Sequence, residues 1–258
     1  MHANTRNLKR RRVGAVSYLN TKPMIYELER GRMDDQLELL IDHPAGLASR
    51  LLNNDIDIGL VPVAIIPQLE EHYIVSDYCI GTLGEVASVC LFSEVPLEQI
   101  EVILSDYQSR TSTALLSILI KHFWKINVVS EPTSEPFQHR IKGKTAGLVI
   151  GDRAFVQRLA SPYIYDLGLA WNEFTGLPFV FAAWISKRVI DEEFLKEFNN
   201  AIQQSLESIP LIVMEQNFRL YDLNQYYLKN LSYTLDDDKL KGLNHYLGFL
   251  NKDKTFLK

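Results

Sequence analysis

The sequence predicts an α/β fold of two lobes with a ligand cleft between them. Three observations lead there. Strand-like and helix-like segments alternate through the first part of the chain, as in parallel βαβ units. Two breaks, at residues 81–85 and 176–181, stand where the chain would cross between lobes. Three turns between a strand and a helix are rich in small polar residues, at 17–20, 109–112 and 151–152.

Each element follows from its local pattern. Val13, Ala15 and Val16 form a short apolar run that breaks at SYLN (17–20) and restarts as a helical pattern over 24–29. Pro23 suits the first turn of that helix, and Asn20 or Thr21 can cap it. A strand, a polar turn and a helix bring free backbone N–H groups and short polar side chains to one point, which is how an α/β protein holds a small anion. QLELLI (36–41) and IDIGLVPV (56–63) read as strands joined by a helix over 44–52. Together they predict a parallel sheet with right-handed crossovers.

Residues 73–80 predict another strand, which ends at Gly81 and Gly84. ASVCLF (87–92) and 102–105 follow as strands. YQSRTS (107–112) leads into a long helix over 113–124, apolar at Leu115, Leu116, Leu119, Ile120 and Phe123. A short strand at 128–129 and a proline-containing loop over 131–139 come next. KTAGLVI (144–150) is a strand that turns at Gly151, Asp152 and Arg153 into a helix over 154–159. Residues 163–167 are short and mostly apolar, and 171–176 read as a loop. LPFVFAAWI (177–185) is a long apolar strand through the middle of the molecule. Everything beyond Asp191 reads as helix, over 191–208, 211–230 with a break near Asp222, and 236–251 with acids facing the dipole. The two breaks then give a first lobe of 1–84 and 180–258 and a second of 85–179. That is the architecture of a type II periplasmic-binding-protein-like fold, with the ligand between the lobes and hinge closure expected over it.

Composition narrows the function. The 258 residues are ample for a buried core, and 47% hydrophobic with 23% charged residues is ordinary for a soluble globular protein. A net charge of −5 leaves no basic surplus for nucleic acid, whereas a small anion needs only local donors. Cys79 and Cys90 sit in largely apolar runs at a spacing that matches no metal motif, so both are expected as reduced core residues. The histidines are scattered without a ligand pair, and no metal is expected. The basic start MHANTRNLKRRR has no adequate apolar stretch after it. Neither a signal peptide nor a membrane span is expected, and a cytoplasmic protein is.

Several residues are candidates for the cleft. Ser109, Thr111 and Ser112 can offer hydroxyls where a helix start offers N–H groups, a fit for carboxylate or phosphate. Ser109 and Ser112 also suit plain helix caps. Asp152 suits an N-cap or a base, and Arg110 can pair with an anion or point to solvent. Ser88 is either a cleft residue or a small residue in a buried strand. His43 is either a cleft or a structural histidine. Trp171, Phe174, Phe179, Phe181 and Trp184 are first of all core. No nucleophile elbow, P-loop, GxGxxG or HExxH pattern occurs. The residues alone lead to a two-lobed protein that binds a small organic anion.

Five stretches go further. VGAVSYLNTKP, LLNNDIDIGLVPVA, SDYQSRTS, VIGDRA and DLGLAWNEFTGLPFVFAAW, in this order, resemble the menaquinone-biosynthesis chorismate dehydratase family. The resemblance runs from about Val13 to the C-terminal helices. It implies the type II binding-protein fold and dehydration of chorismate, a dianion, to 3-[(1-carboxyvinyl)oxy]benzoate, a hydro-lyase reaction without redox or metal cofactor. Carried over by motif, Asn20 and Ser88 are the catalytic pair nearest the reacting ring, and Ser109, Thr111 and Ser112 hold a carboxylate. With the turn residues Ser17, Tyr18, Arg110 and Asp152 they make up the expected substrate-binding set. Neither Asn20 nor Ser88 is a base at neutral pH without an activating partner, so the enolpyruvyl carboxylate of the substrate is expected to take the ring proton. Asp152 and His43 are the protein alternatives.

Two other functions stay open. One is a non-catalytic binding protein for a small carboxylic acid. The other is the sister 1,4-dihydroxy-6-naphthoate synthase, whose typical Pro-Cys-Asn-Asp opening turn is absent here. A small-molecule partner is expected, without nucleic acid or membrane, in a monomer or a homodimer.

Overall fold

The fold is that of a computed structural model, which describes residues 10–16, 18–107, 109–253 and 256. Val13, Ala15 and Val16 are buried in β1 (Arg11–Val16), a strand covered on both faces, which is why its run lacks polar alternation. α1 (Lys22–Ile25), with Pro23 in its first turn, leads to β2 (Leu37–Asp42), and α2 (Pro44–Leu52) leads to β3 (Ile58–Pro62). Both strands pair in parallel with β1, as expected of βαβ units. β4 (Tyr73–Thr82) then ends this part of the sheet.

The chain crosses to a second sheet through β5 (Val89–Ser93) and β6 (Val102–Ser105). There follow α3 (Arg110–Ile118), β7 (Val129–Pro132), β8 (Thr145–Ile150), α4 (Asp152–Arg158), β9 (Tyr163–Asp166) and α5 (Leu167–Thr175). β10 (Phe179–Ser186) returns to the first sheet and lies antiparallel between β3 and β4. α6 (Glu192–Glu207), α7 (Ile209–Glu215), α8 (Leu223–Gln225), β11 (Ser232–Thr234) and α9 (Asp237–Lys252) complete the chain. Among the described residues the first sheet runs β11-β4-β10-β3-β1-β2 and the second β7-β6-β8-β5-β9.

β10 is buried at every position and joins both helix layers of the first sheet. Trp184 meets Phe198 of α6 at 5.0 Å between ring centroids, and Phe179 meets Tyr246 of α9 at 5.1 Å. Gly242 lets α9 come this close, since a Cβ there would fall 2.1 Å from the Pro178 carbonyl oxygen.

Some expectations are corrected. Residues 171–175 are not a loop but the end of α5, which Gly176 closes as C-cap; its start is capped by Asp166 accepting the N–H groups of Gly168 and Leu169. The helix expected over 113–124 begins at Arg110 and widens from Leu119 to Trp124 into π-type turns. The region beyond Asp191 is not all helix. β11 pairs with β4 and forms an edge of the first sheet. Cys79 and Cys90 are buried and free. No helix among the described residues is long and apolar enough to cross a membrane.

Candidate active site

A cavity that opens to solvent lies between the two sheets. The first sheet and its turns bring Val16, Tyr18, Asn20 and Phe181 to it, and the second brings Ser88, Ser109, Thr111, Ser112 and Gly151. This is where the C-terminal ends of β1 and β8 face each other, the usual ligand position in open α/β sheets. Six of the expected residues therefore meet: Tyr18, Asn20, Ser88, Ser109, Thr111 and Ser112. Ser17 lies outside the described residues. Arg110 is not brought to this cavity; it lines another, with Gln68 and Thr133. His43 is exposed with Nδ1 2.6 Å from Asp42 Oδ1, and only its neighbour Pro44 reaches the cavity wall.

Asn20 is oriented from two sides. Thr21 Oγ1 donates to its side-chain oxygen at 3.2 Å, and the Tyr233 hydroxyl donates to its backbone carbonyl at 3.1 Å. Its amide nitrogen has no acceptor among the described residues, so its two donors are available to a ligand. Burial pushes the Tyr18 phenol up to about 12, so it is a neutral donor.

Ser88 enters immediately before β5 on a fixed backbone. Its N–H donates to the Val86 carbonyl at 2.8 Å, and its own carbonyl accepts the Gly151 N–H at 2.9 Å. Just before it, Ala87 adopts φ +63°, a left-handed conformation uncommon for alanine. The buried Asp166 carboxylate holds that bend by accepting the N–H groups of Val86 and Ala87. The Tyr226 hydroxyl donates to Ser88 Oγ at 2.8 Å.

α3 supplies the polar wall. Ser109 Oγ caps it by accepting the Ser112 N–H at 3.1 Å, which leaves the Ser112 hydroxyl on the cavity wall. Thr111 Oγ1 accepts the Ala64 N–H at 3.2 Å, and Tyr246 donates to the Thr111 carbonyl at 3.1 Å. Thr111 thus also ties α3 to the segment that follows β3 and to α9.

Asp152 is neither a cap nor a lining residue. Gly151 takes the cap position with φ +64°, and Asp152 accepts the Leu19 N–H at 3.1 Å from the opposite turn. Burial raises its carboxyl above the ordinary aspartate value. Behind it, Arg153 binds both oxygens of the fully buried Asp106 carboxylate at 2.9 and 2.8 Å.

Sequence reasoning missed Asp166, Tyr226 and Tyr233. The residues they hold at the site, Ala87, Ser88 and Asn20, are remote from them in sequence. A tyrosine at a position that its element buries carries no signal that separates a positioning role from core.

The chain matches the family model described as Menaquinone biosynthesis over residues 11–252. The chain belongs to this menaquinone-biosynthesis family. This family member is 27% identical over 227 residues to a chorismate dehydratase of Campylobacter jejuni, covering 87% of this chain and 86% of that protein. It is 25% identical over 261 residues to a chorismate dehydratase of Thermus thermophilus, covering 90% and 92%. Its structure matches a Candida albicans protein of the generic periplasmic-binding-protein fold with a TM-score of 0.61 and 12% identity, over 97% of this chain and 94% of that one. The fold is the expected periplasmic-binding-protein-like one.

Proposed function

We propose that this family member is a chorismate dehydratase, a hydro-lyase that converts chorismate to 3-[(1-carboxyvinyl)oxy]benzoate and water. The two chorismate dehydratases it resembles over most of their length support the reading. The observation that carries the mechanism is the chemistry of the cavity wall. Among the described residues that line it there is no carboxylate, imidazole, amine or guanidinium; the polar groups are hydroxyls, one carboxamide and backbone N–H groups. Such a wall holds and polarises an anion but offers no base at neutral pH.

The base is therefore the substrate's own enolpyruvyl carboxylate. It takes the proton from the ring carbon that bears the ether. The freed electron pair forms the new ring double bond while the carbon–oxygen bond to the neighbouring ring hydroxyl breaks. The proton then leaves with that hydroxyl as water. The ring becomes aromatic and no oxidant or reductant is consumed. Ser109, Ser112 and the start of α3 hold a carboxylate through hydrogen bonds and the helix dipole. Asn20 and Ser88 position the ring and polarise its oxygens.

Mixing the purified protein with chorismate, and following mass and absorbance, tests the reading. The expected product is aromatic and lighter by one water, formed without added cofactor. Asn20→Ala and Ser88→Ala are each expected to lower kcat by about 100-fold, the scale of one oriented donor. Near-native turnover in both variants sinks the assignment of the pair. Saturable binding with chorismate returned unchanged would make the protein a carboxylate-binding module instead.

A further inference from the structure

We propose that Tyr226 fixes Ser88 as a hydrogen-bond donor to a substrate oxygen, so that Ser88 polarises the substrate and is neither a nucleophile nor a base. Tyr226 is then a positioning residue that acts through Ser88, and its kinetic consequence rests on the dehydratase reading above.

The geometry carries this. Tyr226 is fully buried, and Ser88 Oγ, at 2.8 Å, is the one partner of its hydroxyl among the described residues. A buried phenol proton left without an acceptor is costly, so it goes to the serine oxygen. With that lone pair occupied, the serine's own proton must turn elsewhere. It has no acceptor among the described residues, and Ser88 stands on the cavity wall. The proton is therefore delivered to whatever oxygen the cavity holds.

The remaining freedom of Ser88 is small. Hydrogen bonds to Val86 and from Gly151 fix its backbone, and Asp166 fixes the bend at Ala87. What is left is rotation about its Cα–Cβ bond, which the Tyr226 hydrogen bond sets. An activated serine nucleophile needs a neighbour that accepts its proton. Tyr226 donates instead, and burial holds its phenol well above the ordinary range, so it remains a donor at working pH. Among the described residues that line the cavity, no carboxylate or imidazole takes that place.

Tyr226→Phe is a clean probe, because the ring keeps its edge-on contact with Phe155 at 4.9 Å and its packing on Tyr227 at 5.5 Å. Wild type, Tyr226→Phe, Ser88→Ala and the double variant are compared for kcat, KM and melting temperature. Tyr226→Phe is expected to lower kcat about tenfold with KM within about twofold, and to have no further effect on kcat in the Ser88→Ala background. An equal loss in both backgrounds, or none in wild type, overturns the proposal, as does a covalent adduct at Ser88 found by mass spectrometry. Crystal structures of wild type and Tyr226→Phe give a readout that needs no turnover. One Ser88 rotamer in wild type and several in the variant is the expected result; the same single rotamer in both overturns it. If wild type leaves chorismate unchanged, the dehydratase reading falls, and the rotamer comparison still decides the role of Tyr226.

Discussion

The backbone N–H of Leu19 donates to Asp152 Oδ1 at 3.1 Å, joining the turn after β1 to the helix after β8. The bond links segments from the two sheets, and it places a half-buried carboxyl next to the cavity. Burial raises that carboxyl, while the Leu19 N–H and the Arg153 charge pull it back down. A carboxyl raised in the folded state contributes stability that is full below its unfolded pKa and lost as pH rises through its folded one. Asp152→Asn keeps an oxygen for Leu19 and removes the charge. It is expected to melt no lower than wild type at about pH 7, and the two melting temperatures should converge below about pH 4, the ordinary aspartate value. Thermal melts across that range check it. A variant that melts lower at neutral pH would show that the Leu19 bond depends on the charge.

Asp166 calls for the opposite expectation from the same substitution. Both of its oxygens accept backbone N–H groups, Oδ1 from Val86, Gly168 and Leu169, and Oδ2 from Val86 and Ala87. In Asp166→Asn one of those positions becomes an NH₂ facing N–H donors. Removing the buried charge relieves the desolvation that raises its carboxyl, but either the Ala87 N–H, bound only to Oδ2, or those of Gly168 and Leu169, bound only to Oδ1, then face an NH₂, and that loss outweighs the relief. A loss of about 3 kcal/mol is expected in urea unfolding, with faster amide exchange at Val86 and Ala87.

These two aspartates show what the sequence could and could not tell. Tyr18, Asn20, Ser109, Thr111 and Ser112 could be placed at one cavity because polar turns at the carboxyl ends of strands converge in an open α/β sheet, whereas Ser88, which precedes β5, was singled out by the family resemblance. The partners that aim them were not legible, because Tyr226 and Tyr233 reach Ser88 and Asn20 across 138 and 213 positions. Local pattern also assigned Asp152 to the helix it begins, whereas its acceptor function serves a turn 133 positions away. α5 was hidden for a related reason. Its cap, Asp166, is the last residue of β9, and the segment that follows is mixed in polarity.

Thr111 separates holding the lobes from holding the ligand. Its Oγ1 accepts the Ala64 N–H in a fully buried bond. Thr111→Val keeps the shape and leaves that N–H unpaired, at an expected cost of about 1–3 kcal/mol. Ser112→Ala, by contrast, removes a hydroxyl from the cavity wall for which no acceptor occurs among the described residues. It is expected to raise KM for chorismate several-fold with little change in melting temperature. Melting temperature and steady-state kinetics on both variants check the split.

Gly151 has two reasons to be glycine, and a paired substitution can tell them apart. Its φ of +64° with ψ of −150° lies in a region that side chains rarely enter. A Cβ there would also stand 3.0–3.2 Å from the Tyr18 ring, which packs directly over it. The same residue donates its N–H to the Ser88 carbonyl, so a displaced Gly151 would disturb both Tyr18 and Ser88. Gly143 shares the positive φ, at +54°, but a Cβ there meets nothing within 4 Å. Gly143→Ala is therefore expected to lose about 1 kcal/mol of stability and keep its kinetics. Gly151→Ala is expected to lose about 1–3 kcal/mol and, in addition, to raise KM and lower kcat together, because both walls of the cavity shift. If the two variants differ only in melting temperature, the contact of Gly151 with Tyr18 contributes nothing to the site beyond backbone strain.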